Sequence, residues 1–124
     1  MNKQRPKHLA LHLIQLPLPG FVSILHRISG LLLFFALPPL LLMLQYSLRS
    51  IETYTQLLIV LAHPLAKLTL LGLLWAFLHH FCAGLRFLAI DLDYGLKLKQ
   101  ARNSSKAVLA ASLLLTVLLG VKLW

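Results

Sequence analysis

A single cysteine, Cys82, is all the thiol this 124-residue chain carries, which rules out an internal disulfide and a cysteine metal cage. There is no dinucleotide-binding glycine motif and almost no polar stretch long enough to make a water-soluble domain. Charge is scarce too, at 12% of residues, and one-sided: twelve Lys and Arg stand against three acidic residues, for a net +9. What fills the chain is apolar. Hydrophobic residues make up 59% of it and the mean hydropathy is +0.82, more than a water-facing surface of this size absorbs.

The apolar residues come in three long runs. Ile28 to Leu48 is 21 residues without a charge; Leu68 to Ile90 is 23; Ala107 to Trp124 is 18, broken only by Lys122, which can snorkel to an interface. At 1.5 Å per residue each is near the length that crosses a hydrocarbon core of roughly 30 Å. The expected fold class is therefore all-α: an integral membrane protein of one transmembrane domain, residues 1–124, with three spanning helices at roughly 21–47, 63–91 and 105–124. Residues 1–20, basic and broken by Pro17 and Pro19, read as an interfacial segment; they resemble neither a cleavable signal nor a transit peptide, which favours a bacterial plasma membrane. Pro38-Pro39 should kink the first helix, and Asn103-Ser104-Ser105 can cap the third. Arg49 to about Gln56 reads as a polar loop, with Leu57 to Leu65 extending the second helix and Pro64 as a break or first-turn residue.

The basic residues sort by side. Nine lie before the first span or after the second, and three on the alternate side, which puts the N-terminus in the cytoplasm and the C-terminus opposite. That alternation belongs to a membrane protein and argues against nucleic acid as the partner of the +9 charge, although anionic lipid or an acidic protein surface can share it.

Polar groups inside a span are costly and need a partner or a task. His80 is the thirteenth residue of the second run, near its middle, on a helix face shared with Leu73, Ala76, Gly84, Phe87 and Asp91. A neutral imidazole there leaves one nitrogen free, so His80 can be an axial haem ligand with open space beside it at Gly84, or a hydrogen-bonded histidine in a small-residue helix contact. No second imidazole in the chain faces it at the same depth, so a bis-histidine haem would need a ligand from another subunit. His79 points about 100° away and reads as packing or a hydrogen-bond partner, and Cys82 as a small packing residue. At the cytoplasmic mouth of the first helix, Ser23 and Arg27 are i and i+4 and face the same way. They can bind a quinone carbonyl or a haem propionate; equally, Arg27 can anchor the helix at the headgroups while Ser23 caps it.

Taken together these stretches resemble the cytochrome b membrane-anchor subunits of succinate dehydrogenase, respiratory complex II. That family carries an N-terminal Arg-Pro, then Ser-x-x-His-Arg-x-Ser/Thr-Gly, then His-x-x-x-Gly-x-Arg with a following Asp. They stand here as Arg5-Pro6, Ser23-Ile-Leu-His26-Arg27-Ile-Ser29-Gly30, and His80-Phe-Cys-Ala-Gly84-Leu-Arg86 with Asp91. Order, length and the three-helix plan agree over essentially the whole chain. Two departures stand out: Phe87 where the family often has His, and Lys7 where an apolar residue is usual.

The resemblance implies a part in electron transfer rather than a catalytic site. His80 would be one axial ligand to the iron of haem b, the other coming from a companion small membrane-anchor subunit. Ser23 and Arg27 would line a ubiquinone site shared with the companion and an iron–sulfur subunit, and His26 and Arg27 would lie near the haem propionates. Succinate would be oxidised in a flavoprotein subunit and its electrons passed to ubiquinone in the bilayer. Ser23 would donate to a quinone oxygen, and Arg27 would stabilise negative charge on the quinone during reduction. Arg86 would pair with Asp91 or meet a propionate. The alternatives are a haem-free structural anchor of the same ancestry, a quinol:fumarate reductase anchor, and an unrelated small membrane protein with packed histidines.

Overall fold

The computed structural model describes residues 15–123. The Arg5-Pro6 and Lys7 positions, and most of the proposed interfacial segment, lie outside the described residues. The architecture is all-helical: α1 Leu18–Ser47, α2 Ile51–Ala62, α3 Pro64–Asp91 and α4 Leu98–Leu123. Among the described residues α1, α3 and α4 are each long and apolar enough to cross a membrane, whereas α2, at 12 residues, is too short.

Local chemistry accounts for the boundaries. Pro17 and Pro19 do not delay α1 to residue 21: Pro17 stands in extended conformation at the N-cap and the first turn forms on its carbonyl, which accepts from Gly20 and Phe21. Ser23 therefore lies inside the helix and caps nothing. Pro38 and Pro39 are also carried within continuous α1. The stretch expected as a polar loop and an extension of the second span is instead a separate helix. Ser50 and Thr53 close a capping box at the start of α2, and Pro64 takes the first position of α3 with His63 as its cap, accepting from Leu65 N–H at 3.2 Å. Helix α4 starts at Leu98, earlier than position 105, so Asn103, Ser104 and Ser105 lie within it rather than capping it.

Helix α3 ends in a Schellman turn. Tyr94 N–H reaches back to Ala89 O at 2.9 Å and Asp93 N–H to Ile90 O at 2.9 Å, with Asp93 at φ 63° in the left-handed region. Asp tolerates that conformation better than most residues, and Gly95, at φ 82°, follows it.

Helix α3 packs on both α1 and α4. The tight core draws one residue from each, Val22, Ala83 and Val108, with Cys82, Phe87 and Leu109 against it. The buried stripe of α4 is mostly small and polar: Ser105, Ser112 and Thr116 each bond a carbonyl three or four residues back, so they bring the helices close without orphan hydroxyls. Outward-facing Leu, Ile, Val and Phe side chains remain exposed along all three long helices, the surface a bilayer or a neighbouring membrane subunit covers.

Candidate functional site

Two helical turns, one on α1 and one on α3, build the site. Each carries histidine and, four residues on, glycine: His26-x-x-x-Gly30 and His80-x-x-x-Gly84. The helices set them against each other reciprocally. A Cβ placed on Gly30 would lie 2.8 Å from His80 Cε1, and one on Gly84 would lie 3.7 Å from His26 Nε2. Each histidine thus lies over the glycine of the opposite helix, and the two imidazoles stack with centroids 4.2 Å apart and planes 9° from parallel. The free space beside Gly84 was expected to serve His80. It is taken by His26, while Gly30 is the glycine that makes room for His80.

The stack has a chemical consequence. Two imidazoles that ligate one iron from opposite sides aim their nitrogens at each other across the metal, whereas rings lying face to face cannot. His26 is therefore a neighbour of His80 and could not serve as a second ligand opposite it if His80 held a metal. Phe87 also lies against His26, with ring centroids 5.1 Å apart and planes at 52°.

His80 is fixed from one edge. Its Nδ1 lies 3.1 Å from the His26 carbonyl oxygen and 3.3 Å from Ser29 Oγ, and Ser29 itself donates to that carbonyl at 2.9 Å. With Nδ1 protonated and bonded to a carbonyl, Nε2 keeps its lone pair, the arrangement typical of metal-binding imidazoles. The half-buried His80 has no hydrogen bond to Nε2 among the described residues. Nor, among them, do three His, Cys, Asp or Glu side chains converge on a point where they could hold a bare metal ion. A porphyrin brings its own four equatorial nitrogens and asks of the protein only axial ligands. Beside this cluster a groove of about 620 Å³ runs between α1 and α3, lined by Leu25, Ser29, Leu32, Gly72, Trp75 and Ala76 among others, and it is almost wholly apolar. The donor set and its surroundings fit a haem.

The other candidates fall as follows. Ser23 and Arg27 sit one turn apart on α1, Ser23 half-buried and Arg27 exposed, with no hydrogen bond between them among the described residues. Arg86 is buried and turns away from Asp91: its Nε donates to Ser104 Oγ at 2.9 Å and Nη2 reaches Ala101 O at 3.5 Å, so it ties α3 to the first turns of α4. His79 is fully buried and stacks on Trp75 at 5.4 Å, with neither ring nitrogen hydrogen-bonded. Sequence reasoning passed over Ser29 and Gly30 as parts of the histidine's surroundings. The repeated His-x-x-x-Gly spacing was the available signal.

The sequence matches known proteins. Residues 1–119 fit the family described as succinate dehydrogenase/fumarate reductase transmembrane subunit. The chain belongs to that family. Among curated relatives, the succinate dehydrogenase cytochrome b556 subunit of Coxiella burnetii is 36% identical over 125 residues, covering 100% of both chains. The subunit of the same name from Paracoccus denitrificans is 35% identical over 114 residues, covering 92% of this chain and 88% of that one. The Rickettsia felis subunit is 31% identical over 121 residues, covering 95% and 92%. This succinate dehydrogenase/fumarate reductase transmembrane subunit is thus a multi-pass membrane protein, one subunit of a larger enzyme complex.

Proposed function

We propose that this anchor subunit is the cytochrome b of a bacterial succinate dehydrogenase, in the plasma membrane, holding haem b through His80 and helping to form the ubiquinone-reduction site. The observation that carries the reading is the His80 edge: Nδ1 tied to the His26 carbonyl and to Ser29, which lines the apolar groove, with Nε2 left without a partner among the described residues. A bound haem supplies reversible one-electron storage within the span. His80 would hold the haem from this chain, and a second protein ligand would have to come from a companion membrane subunit, since His26 is stacked on His80 rather than opposed to it. His26 and Arg27, nearer the start of α1 than the Gly30 that faces His80, would meet the haem propionates, and there Arg27 would attract their negative charge.

At the same mouth of α1, Ser23 donates a hydrogen bond to a quinone oxygen and Arg27 stabilises the negative charge that develops as the quinone is reduced, its effect strengthened by low dielectric. The chain's part is to bind and orient; succinate oxidation and the iron–sulfur relay belong to the flavoprotein and iron–sulfur partners. The names of the relatives favour succinate oxidation over fumarate reduction as the working direction.

Purification of the complex through a tag on this chain tests the reading. A co-purifying flavoprotein with succinate:ubiquinone reductase activity is expected. Arg27→Ala should lower that activity about tenfold or more, the scale of a lost charged hydrogen bond, while haem content and flavoprotein recovery stay at wild-type level. Normal ubiquinone turnover in Arg27→Ala would remove Arg27 from the quinone site.

A further inference from the structure

We propose that Ser29 is a positioning residue for the haem-ligating histidine, holding the Nδ1–H form and the ring plane of His80; the inference rests on the reading of His80 as ligand. Ser29 is buried, at 4% exposure, and its hydroxyl sits where α1 meets the edge of the His80 ring of α3. Three contacts close a triangle: Ser29 Oγ donates to His26 O at 2.9 Å, His80 Nδ1 lies 3.1 Å from that oxygen, and Nδ1 lies 3.3 Å from Ser29 Oγ.

The donor and acceptor inventory decides how the triangle is wired. With the Ser29 proton given to the carbonyl, the lone pairs of Oγ remain to accept from His80 Nδ1–H. The ring proton is then shared between two acceptors. The His26 carbonyl also lies in the helix, where an oxygen accepts from the amide four residues ahead, so its two lone pairs face more donors than they can take. The Ser29 oxygen, its proton given to that carbonyl, keeps its lone pairs free and is the acceptor with room for the ring N–H. Two acceptors on Nδ1–H fix the tautomer and raise the basicity of Nε2 toward a metal. The ring has little other freedom, since Gly30 lies beneath it at a distance that leaves no room for a Cβ, and His26 is stacked over it. Ser29 also lines the apolar groove between α1 and α3, so the hydroxyl lies at the boundary between the histidine and the space next to it.

The test compares Ser29→Ala and Ser29→Thr in the intact complex, purified through a tag on this chain and scored for flavoprotein recovery. Alanine is the best helix former, so assembly is expected in full. Two quantities are read: the rate at which haem is lost to an apomyoglobin scavenger, and the midpoint potential of the b-type α-band. In Ser29→Ala haem should leave about tenfold faster, the lower range for loss of a hydrogen-bond partner of a metal ligand, and the midpoint should rise as the ligand becomes less basic. Ser29→Thr keeps the hydroxyl and should match the wild type in both. Wild-type behaviour of Ser29→Ala, or equal damage from Ser29→Ala and Ser29→Thr, would overturn the role of the hydroxyl. His80→Ala run alongside separates the two claims. If it keeps haem, the reading of His80 fails; if it loses haem while Ser29→Ala is unchanged, only the positioning role fails.

Discussion

Gly30 and Gly84 occupy the same place in two copies of one short pattern, yet they are not equivalent in what they tolerate. A methyl at Gly30 would meet His80 Cε1 at 2.8 Å, closer than carbon atoms approach without displacement, and the ring cannot back away because His26 is stacked on it at 4.2 Å. At Gly84 the same methyl would meet His26 Nε2 at an ordinary 3.7 Å. Gly30→Ala should therefore shift or abolish the b-type α-band, and Gly84→Ala should leave it intact, with difference spectra of the two variants as the check. A wild-type spectrum in Gly30→Ala would mean the ring sits elsewhere. At this scale the sequence was legible in part. His80 stood out because an imidazole in mid-span is expensive, and Ser23, His26 and Arg27 because their motif is specific. Which glycine serves which histidine depends on how α1 and α3 cross, and no spacing within one helix reports that.

Among the elements, long apolar runs revealed the three spans, while the boundaries followed local chemistry that hydropathy does not weigh. Helix α2 was hidden because its polar first half, Ile51 to Gln56, looks like a loop until the Ser50–Thr53 capping box is recognised. The early start of α4 was hidden for a similar reason: Lys99 to Lys106 is helical without being apolar. Arg86 explains part of that start, since its bonds to Ser104 and Ala101 fasten this polar stretch to α3. The α3 terminus allows a direct test. Asp93 holds φ 63°, where a β-branched residue is strained and glycine is not. Asp93→Gly should be neutral or stabilising, and Asp93→Val should cost about 1–2 kcal/mol, read as a lower Tm of the detergent-purified complex. A Tm in Asp93→Val equal to that of Asp93→Gly would contradict the left-handed turn.

For the molecule as a whole, the nine-to-three division of Lys and Arg predicts an orientation with the α1–α2 link outside and the α3–α4 link inside. With Cys82 replaced by Ala, a cysteine introduced at Ser50 should react with a membrane-impermeant maleimide in intact spheroplasts, and one at Tyr94 only after lysis. The reverse labelling would invert the protein and move Ser23 and Arg27 to the wrong side for a cytoplasmic quinone site. Exposed apolar side chains along every span also mean that the chain finds its full burial in lipid and neighbouring membrane subunits, and on the proposed reading a haem held by His80 would need its second ligand from outside this chain, since His26 is stacked on His80.

The most direct measurement is the dithionite-reduced minus oxidised spectrum of the complex purified through a tag on this chain, wild type beside His80→Ala, each normalised to co-purified flavoprotein. A b-type α-band in the wild type that is weakened or lost in His80→Ala is the predicted result. An unchanged band in His80→Ala, or no band in a fully assembled wild-type complex, would contradict the account.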